Sequence, residues 1–359
     1  MTVTRRSVLA GAVALLASAR FRGAAAGDAG GHLPRLRVIL DNDFGGDPDG
    51  LFQAAHHLLS PSVDVRLVIG SHLHAGEFFD ATDRQATHAA ETVTQLIDIL
   101  GLERRPRILA GAEAALAGAG VALAGTAGDP ARASVARTSA AEAIIDEALH
   151  GDPDLPLYYC AGAGLTDLAT AWLLEPRIGP RVRLAWIGGP EYPGTPAPPG
   201  PREAEYNLTI DPIAAQVIFN RSDIDIWQVP RSTYRQMLVG RAELERSLRP
   251  AGRLGEYLLA RIDSLRRMAE QAPPPHRMNL GETYALGDSP LVTLTALQSA
   301  FQPEPASSRY ETRARPSITP QGGYGPPVRG RTVRVYTHID TRLTFEDMYA
   351  KFAGAATQP

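Results

Sequence analysis

The stretch that most constrains this chain is a junction. A short apolar run, Leu36-Arg37-Val38-Ile39-Leu40, ends directly on Asp41-Asn42-Asp43-Phe44-Gly45-Gly46-Asp47-Pro48-Asp49. Bounded by Pro34 and the acids, the run reads as a buried strand, and Leu51 to Leu59 behind it reads as a helix. In open α/β sheets, ligands bind beyond the carboxyl ends of the strands, which is where Asp41 and Asp43 fall. Crowded carboxylates repel one another unless a cation neutralises them. Glycines at 45, 46 and 50 let the backbone turn tightly and approach a ligand. Asp47 or Asp49 could serve only as the cap of the following helix, but that role cannot employ all four acids. Oxygen donors alone, without cysteine or paired histidine, suit a hard ion such as Ca²⁺ or Mg²⁺.

The rest of the chain alternates in the same way. Strand-like runs at 63–73, 106–112, 155–164 and 182–189 are separated by helical patterns at 86–100, 139–149 and 165–174. This alternation predicts an α/β fold with a mostly parallel open sheet and helices on both faces. Helical character returns at 212–220 and 242–270. The Ala/Gly-rich stretch Glu113 to Ala133 and the Pro/Gly stretch Pro190 to Pro201 read as loops. A basic, Pro/Gly-rich segment from Ala306 to Arg329 leads into Arg331-Thr-Val-Arg-Val-Tyr-Thr-His-Ile-Asp340 and a final helix. No repeat or linker divides residues 31–359, which are expected to form one elaborated domain.

Composition narrows the function classes. With 359 residues and a formal net charge of -3, the chain has no basic stripe of the kind nucleic-acid binders show, and a small neutral or weakly polar ligand suits it better. The single cysteine, Cys160, excludes a disulfide framework and a thiolate metal cluster, and it reads as buried packing. Residues 1–30 stand apart. Arg5-Arg6, an apolar stretch from Val8 to Ala17 and small residues at Ala24 to Ala26 have the order of a secretory signal, and the pattern resembles a twin-arginine export signal. The expectation is an exported protein, periplasmic or secreted, without stable membrane association once the signal is removed.

Two families open with such a junction. The Asp-x-Asp start fits haloacid-dehalogenase-type phosphatases, but Gly45 stands where that family has Thr or Val, and its later lysine has no clear counterpart. The sequence more closely resembles the nucleoside hydrolases, whose chains open with an apolar run and Asp-x-Asp-x-Gly-x-Asp-Asp. Asp41, Asp43, Gly45 and Asp47 keep this pattern, and Pro48 displaces the paired acid to Asp49. Three later elements follow in the family's order: Tyr158 to Gly189, with its glycine turn, Leu165-Thr166 and Glu175-Pro176; Glu203 to Phe219, "EAEYNLTIDPIAAQVIF"; and Tyr284 to Leu297, "YALGDSPLVTLTAL".

The resemblance implies hydrolysis of the N-glycosidic bond of a ribonucleoside or related ribosyl compound, with Ca²⁺ as the sole cofactor. It implies Asp43, Asp49, Asp288 and the Gly162 carbonyl as metal ligands, and Glu205 and Asn207 as the pair that holds the sugar hydroxyls. Asp41 or Asp47 is then the group that takes a proton from the attacking water, and Asp47 also borders the substrate. Relatives are commonly dimers or tetramers, so the resemblance also leaves a homo-oligomer open. Gly287 departs from members that carry a histidine there to protonate the departing base. His72, His74 and Glu282 are the candidates to replace it. Of the aromatics near the expected mouth, Trp186, Tyr192, Tyr206 and Tyr284, the one expected to stack on substrate is Tyr284. His56 and His57 read as packing or surface residues. The alternatives are a hydrolase of another glycoside or sugar derivative, and a non-catalytic sugar-binding protein.

Overall fold

The structure, a computed structural model, describes residues 33–116, 135–149, 154–195, 204–272, 277–298 and 308–356. The expected export signal and most of the expected Ala/Gly-rich loop lie outside the described residues, as do parts of 190–201 and 306–329.

Ten strands are described, from β1 (Leu36–Asn42), β2 (Val63–Gly70), β3 (Arg107–Ala110), β4 (Leu157–Ala161) and β5 (Val182–Ile187) to β6 (Asp225–Val229), β7 (Leu238–Gly240), β8 (Thr283–Ala285), β9 (Arg309–Ile318) and β10 (Tyr324–His338). Eight form one sheet in the order β3-β2-β1-β4-β5-β6-β10-β9, parallel throughout except for β9. Strands β7 and β8 form a separate antiparallel pair.

The period of two in a strand divides β1 between two cores. Leu36, Val38 and Leu40 join one apolar cluster, with Leu51 and Phe52 of helix α1 (Asp49–Leu58) and Val93 of helix α2 (Gln85–Leu100). Ile39 joins the other, with Ile144 of helix α3 (Ser139–Leu149) and Leu168 of helix α4 (Thr166–Leu174). Strands β4 and β5 alternate in the same way, so helices cover both faces, as the sequence pattern predicts. Among the described residues, no helix is long and apolar enough to cross a membrane.

Two parts of the sheet differ from the sequence reading. The basic, Pro/Gly-rich segment containing Ala306 to Arg329, to which the sequence reading assigned no strand, contributes β9 and the start of β10, which pair as a long antiparallel hairpin at the sheet edge. Prolines and glycines are tolerated there because edge strands and bulges do not need every N–H, and the pairing shifts register near Pro327. Strand β6, Asp-Ile-Trp-Gln-Val, was also not anticipated. It lies between β5 and β10.

The strand order carries a functional consequence. From β1 the sheet grows one way through β2 and β3, and the other way through β4, β5 and β6. The connections leaving β1 and β4 therefore diverge, and a crevice opens beyond their carboxyl ends, which is the general ligand position in such sheets.

Candidate active site

A cavity of about 280 Å³ occupies that crevice, near the lower end of the roughly 300–1,000 Å³ typical of small-molecule sites. Asp43 follows β1, Gly162 follows β4, and Ile187 ends β5. Asp47 and Asp49 enter from the turn into α1, while Gly287 and Asp288 come from the far end of the chain, and all of them line the cavity. Pro48 sits at the N-cap of α1 without a side-chain capping bond. Asp49 is thus the first helical residue, and its carboxylate accepts the Asp288 N–H at 3.1 Å. The one-residue displacement caused by Pro48 still delivers a carboxylate to the cavity wall.

These acids strongly affect one another. Burial raises Asp43 well above the ordinary carboxylate range, and repulsion from Asp288, Asp47 and Asp41 adds to it. Asp49 is raised in the same manner, by burial and then by Asp288, Asp47 and Asp43. Burial pushes Asp47 to about 7. It also pushes Asp288 to about 7, against the hydrogen bond that Asn42 donates to Asp288 at 2.8 Å. Among the described residues, no group of three or more acidic, histidine or cysteine side chains is placed to hold a metal ion as it stands. The carboxylates stand around a shared space instead, and their all-oxygen chemistry fits a hard divalent cation. The glycine at 162 keeps that space clear: a Cβ there would lie 2.7 Å from Asp288 Oδ2 and 2.3 Å from Asn42 Nδ2. The Gly162 carbonyl accepts a hydrogen bond from Asn207 Nδ2 at 3.0 Å and retains a second lone pair.

The structure separates the expected site residues into those that reach the cavity and those that do not. Asn207 lines it. Its Nδ2 donates to the carbonyls of Gly162 and Ile187, at 3.0 and 2.8 Å, so its amide oxygen is the atom left to meet a ligand hydroxyl. Glu205 does not line the cavity. It is fully buried and caps the helix Tyr206–Ile210, accepting the N–H groups of Asn207 and Leu208. It also accepts Gly189 N–H at 2.7 Å and the Tyr234 hydroxyl at 2.9 Å. With its oxygens thus engaged, Glu205 anchors Asn207 and Tyr234 rather than facing a ligand.

Asp41 also faces elsewhere. It lies on the opposite face of β1 from Asn42, buried, and its oxygens accept the hydroxyls of Ser71 and Tyr159. A carboxylate sealed by two donors away from the cavity has no reach to an attacking water. His72 is buried, with its ring nitrogens at 2.8 Å from Leu73 O and 3.0 Å from Thr166 Oγ1. His74 touches the site only through Tyr206, which it meets edge-to-face at 4.8 Å. Tyr284 lies on β8, off the cavity wall, and its buried hydroxyl has no hydrogen-bond partner among the described residues. Glu282 is likewise absent from the wall.

In their place the wall carries Leu73, Phe79, Tyr206, Tyr234 and Arg235. Tyr206 was among the aromatics the sequence placed near the mouth, whereas Tyr234 and Arg235 were not anticipated. Their signal was the Val229-Pro230 boundary, a strand end that delivers the next residues to the crevice, and it stayed hidden because β6 went unread. Trp186 is buried and donates to Ala163 O at 3.0 Å, and Tyr192 stacks on Tyr324. Both are structural.

The family profile described as inosine-uridine preferring nucleoside hydrolase matches residues 38–346. The chain is 31% identical over 207 residues to the protein of that description from Crithidia fasciculata, covering 54% of this chain and 58% of that one. With the Leishmania major protein it shares 39% identity over 84 residues, 23% of this chain and 25% of that one. These alignments span less than two thirds of either relative. Among solved structures, the purine-preferring ribonucleoside hydrolase of Gardnerella vaginalis superposes with a TM-score of 0.65 at 18% identity, over 89% of this chain and 99% of that one. An inosine-uridine preferring nucleoside hydrolase from Bacillus anthracis gives 0.57 at 20% identity, over 89% and 99%.

Proposed function

Because the chain belongs to the inosine-uridine preferring nucleoside hydrolase family, we propose that it hydrolyses the N-glycosidic bond of a ribonucleoside or a closely related ribosyl compound. The observation that carries this reading is the convergence of Asp43, Asp47, Asp49 and Asp288 with Asn207 on one cavity at the switch point of the sheet. Asp43, Asp49, Asp288 and the Gly162 carbonyl would hold a divalent cation, with Ca²⁺ favoured by the number and hardness of the oxygens. When bound, such an ion supplies positive charge that orients water and lowers its pKa.

The remaining steps belong to the chain. Asp47 lines the cavity and takes the proton of the attacking water, the part Asp41 cannot play from its sealed position. The Asn207 oxygen accepts a hydrogen bond from a sugar hydroxyl and fixes the ring against the attacking side. Glu205, bound to three backbone N–H groups, holds Asn207 in place. Leu73, Phe79 and Ile187 exclude bulk water, which strengthens each polar contact inside.

The test is release of reducing sugar from a panel of nucleosides by the purified protein with added Ca²⁺, with and without chelator. Release should depend on the cation, and Asp47→Asn should lower kcat by about 10²–10⁴-fold, the usual worth of a positioned base. A protein that binds ribose without turning over any riboside would overturn the reading in favour of a sugar-binding role.

A further inference from the structure

We infer that Arg235 is the leaving-group residue of this site, and that it stabilises an aglycone departing as an anion, in place of a side chain that protonates it. The inference rests on the ribosyl-hydrolase reading above and adds the class of leaving group.

The argument is an account of protons on the cavity wall. Two tyrosines line it, and both hydroxyl protons are committed: Tyr206 donates to Glu77 at 2.8 Å and Tyr234 to Glu205 at 2.9 Å. Both Asn207 amide donations go to backbone carbonyls. Gly287 offers no side chain, and a Cβ there would already lie 3.2 Å from Asp49 Oδ2 and 3.4 Å from the Tyr234 ring. The tyrosine ring and the Asp49 carboxylate thus border the space that a side chain at 287 would enter. Among the described residues, no histidine lines the cavity.

Arg235 remains. It lines the cavity, is exposed, and its guanidinium makes no hydrogen bond or ion pair among the described residues. It lines the same cavity as Gly287, and its charge acts on the neighbouring Tyr234 phenol and on the Glu191 carboxylate. The cavity wall thus carries both signs of charge, the carboxylates of Asp43, Asp47 and Asp49 and the side chain of Arg235, which follows Tyr234 in the chain. Tyr234 adds an acceptor, since its single proton points to Glu205 and its oxygen retains a lone pair.

A guanidinium cannot deliver a proton at neutral pH. In the step that follows, the bond from the anomeric carbon to the aglycone breaks and its electron pair leaves with the aglycone. Water forms the new carbon–oxygen bond, and its proton passes to Asp47. Arg235 meets the negative charge on the departing atom through charge-assisted hydrogen bonds. Aglycones with an acidic conjugate form are the natural substrates of such a site, and aglycones that must be protonated before leaving are poor ones.

The experiment measures kcat/KM for a series of aryl ribosides, from 4-nitrophenyl to unsubstituted phenyl, together with inosine. Native protein should show a steep dependence on leaving-group acidity, with 4-nitrophenyl riboside well ahead of inosine. Arg235→Gln should steepen the dependence, losing about 10- to 100-fold on the least acidic leaving groups, the worth of one charge-assisted hydrogen bond, and less on 4-nitrophenyl. Arg235→Lys should recover part of that loss. A flat dependence in the native protein, or an equal loss across the series in Arg235→Gln, overturns the inference while leaving the hydrolase intact. Failure to hydrolyse any riboside, 4-nitrophenyl included, overturns the hydrolase reading itself.

Discussion

Asp41 and Asp43 are two residues apart, yet they belong to different kinds of place. Asp41 lies within β1, sealed, with the hydroxyls of Ser71 and Tyr159 on its oxygens. Burial raises it only to about 6, because those hydroxyls favour its ionised form. Asp43 lies one residue past the end of β1, where the chain turns and other carboxylates gather, and both burial and repulsion raise it further. The sealed place satisfies its charge from within the protein. The open place leaves its charges to be satisfied by something that enters, and this separates a structural acid from one available to a ligand.

The sharpest test of this contrast is a pair of isosteric changes. Asp288→Asn should cut turnover at least about 100-fold, beyond what loss of a supporting residue costs at a metal site, and should abolish the rise in Tm on adding Ca²⁺. Asp41→Asn should leave turnover per folded molecule within about threefold and lower stability by about 1–3 kcal/mol, the cost of disturbing a buried hydrogen-bonded group. Chemical denaturation and initial rates measure both. A large fall in kcat for Asp41→Asn would break the comparison.

A smaller effect is expected at the boundary between the two places. Asn42 donates to Asp288 at 2.8 Å and to Gln53 at 3.4 Å, and Gln53 meets His57 at 2.6 Å, which reaches Thr295 at 2.8 Å. This buried chain holds one cavity carboxylate from behind. Asn42→Ala should weaken Ca²⁺ binding by about 10–100-fold, the range for supporting groups at metal sites, with kcat at saturating Ca²⁺ changed less. Calorimetric titration reads the affinity, and unaltered binding would remove Asn42 from the site.

The smallest effect is in pH. Asp47 and Asp288 rise to about 7 in the folded protein, against roughly 3.9 unfolded. The folded state therefore keeps protons that the unfolded state has lost. Their contribution to stability is full below about pH 4 and declines as pH rises through 7. His57 acts in the opposite direction: burial and His56 lower it to about 3, so its contribution is lost as pH falls below about 6.5. The difference in Tm with and without Ca²⁺ cancels the His57 effect. That difference should widen between about pH 5 and 8, because ligands must be deprotonated to bind. Calorimetry at several pH values showing a constant difference would detach the cation from these carboxylates.

Much of this arrangement was legible in local pattern. An apolar run ending on Asp and Gly identifies a strand and its carboxyl end, because burial on both faces demands continuous apolar residues and the following turn demands small ones. The alternation that follows implies the parallel sheet and places the acids in its crevice. The β9–β10 hairpin was not legible, since its Arg-, Pro- and Gly-rich sequence suits an exposed edge and resembles a loop. Missing β6 concealed Tyr234 and Arg235. Tyr284, the aromatic expected to stack on substrate, is near Asp288 in sequence but off the cavity wall, which carries Tyr206 and Tyr234 instead.

What the sequence determined by itself is the set of groups and the strand ends that carry them, since side-chain chemistry and strand periodicity are local properties. Which oxygen faces a cavity and which is sealed was decided by the tertiary structure. Asp41 is closed off by Ser71, just past β2, and by Tyr159 of β4, and Glu205 by N–H groups of its own helix and of Gly189 and by the Tyr234 phenol. Only packing brings Arg235 to the cavity that Asp288 and Asp49 share across 239 residues. A local pattern cannot specify this, because burial and hydrogen-bond partners arise between segments that the chain itself keeps far apart.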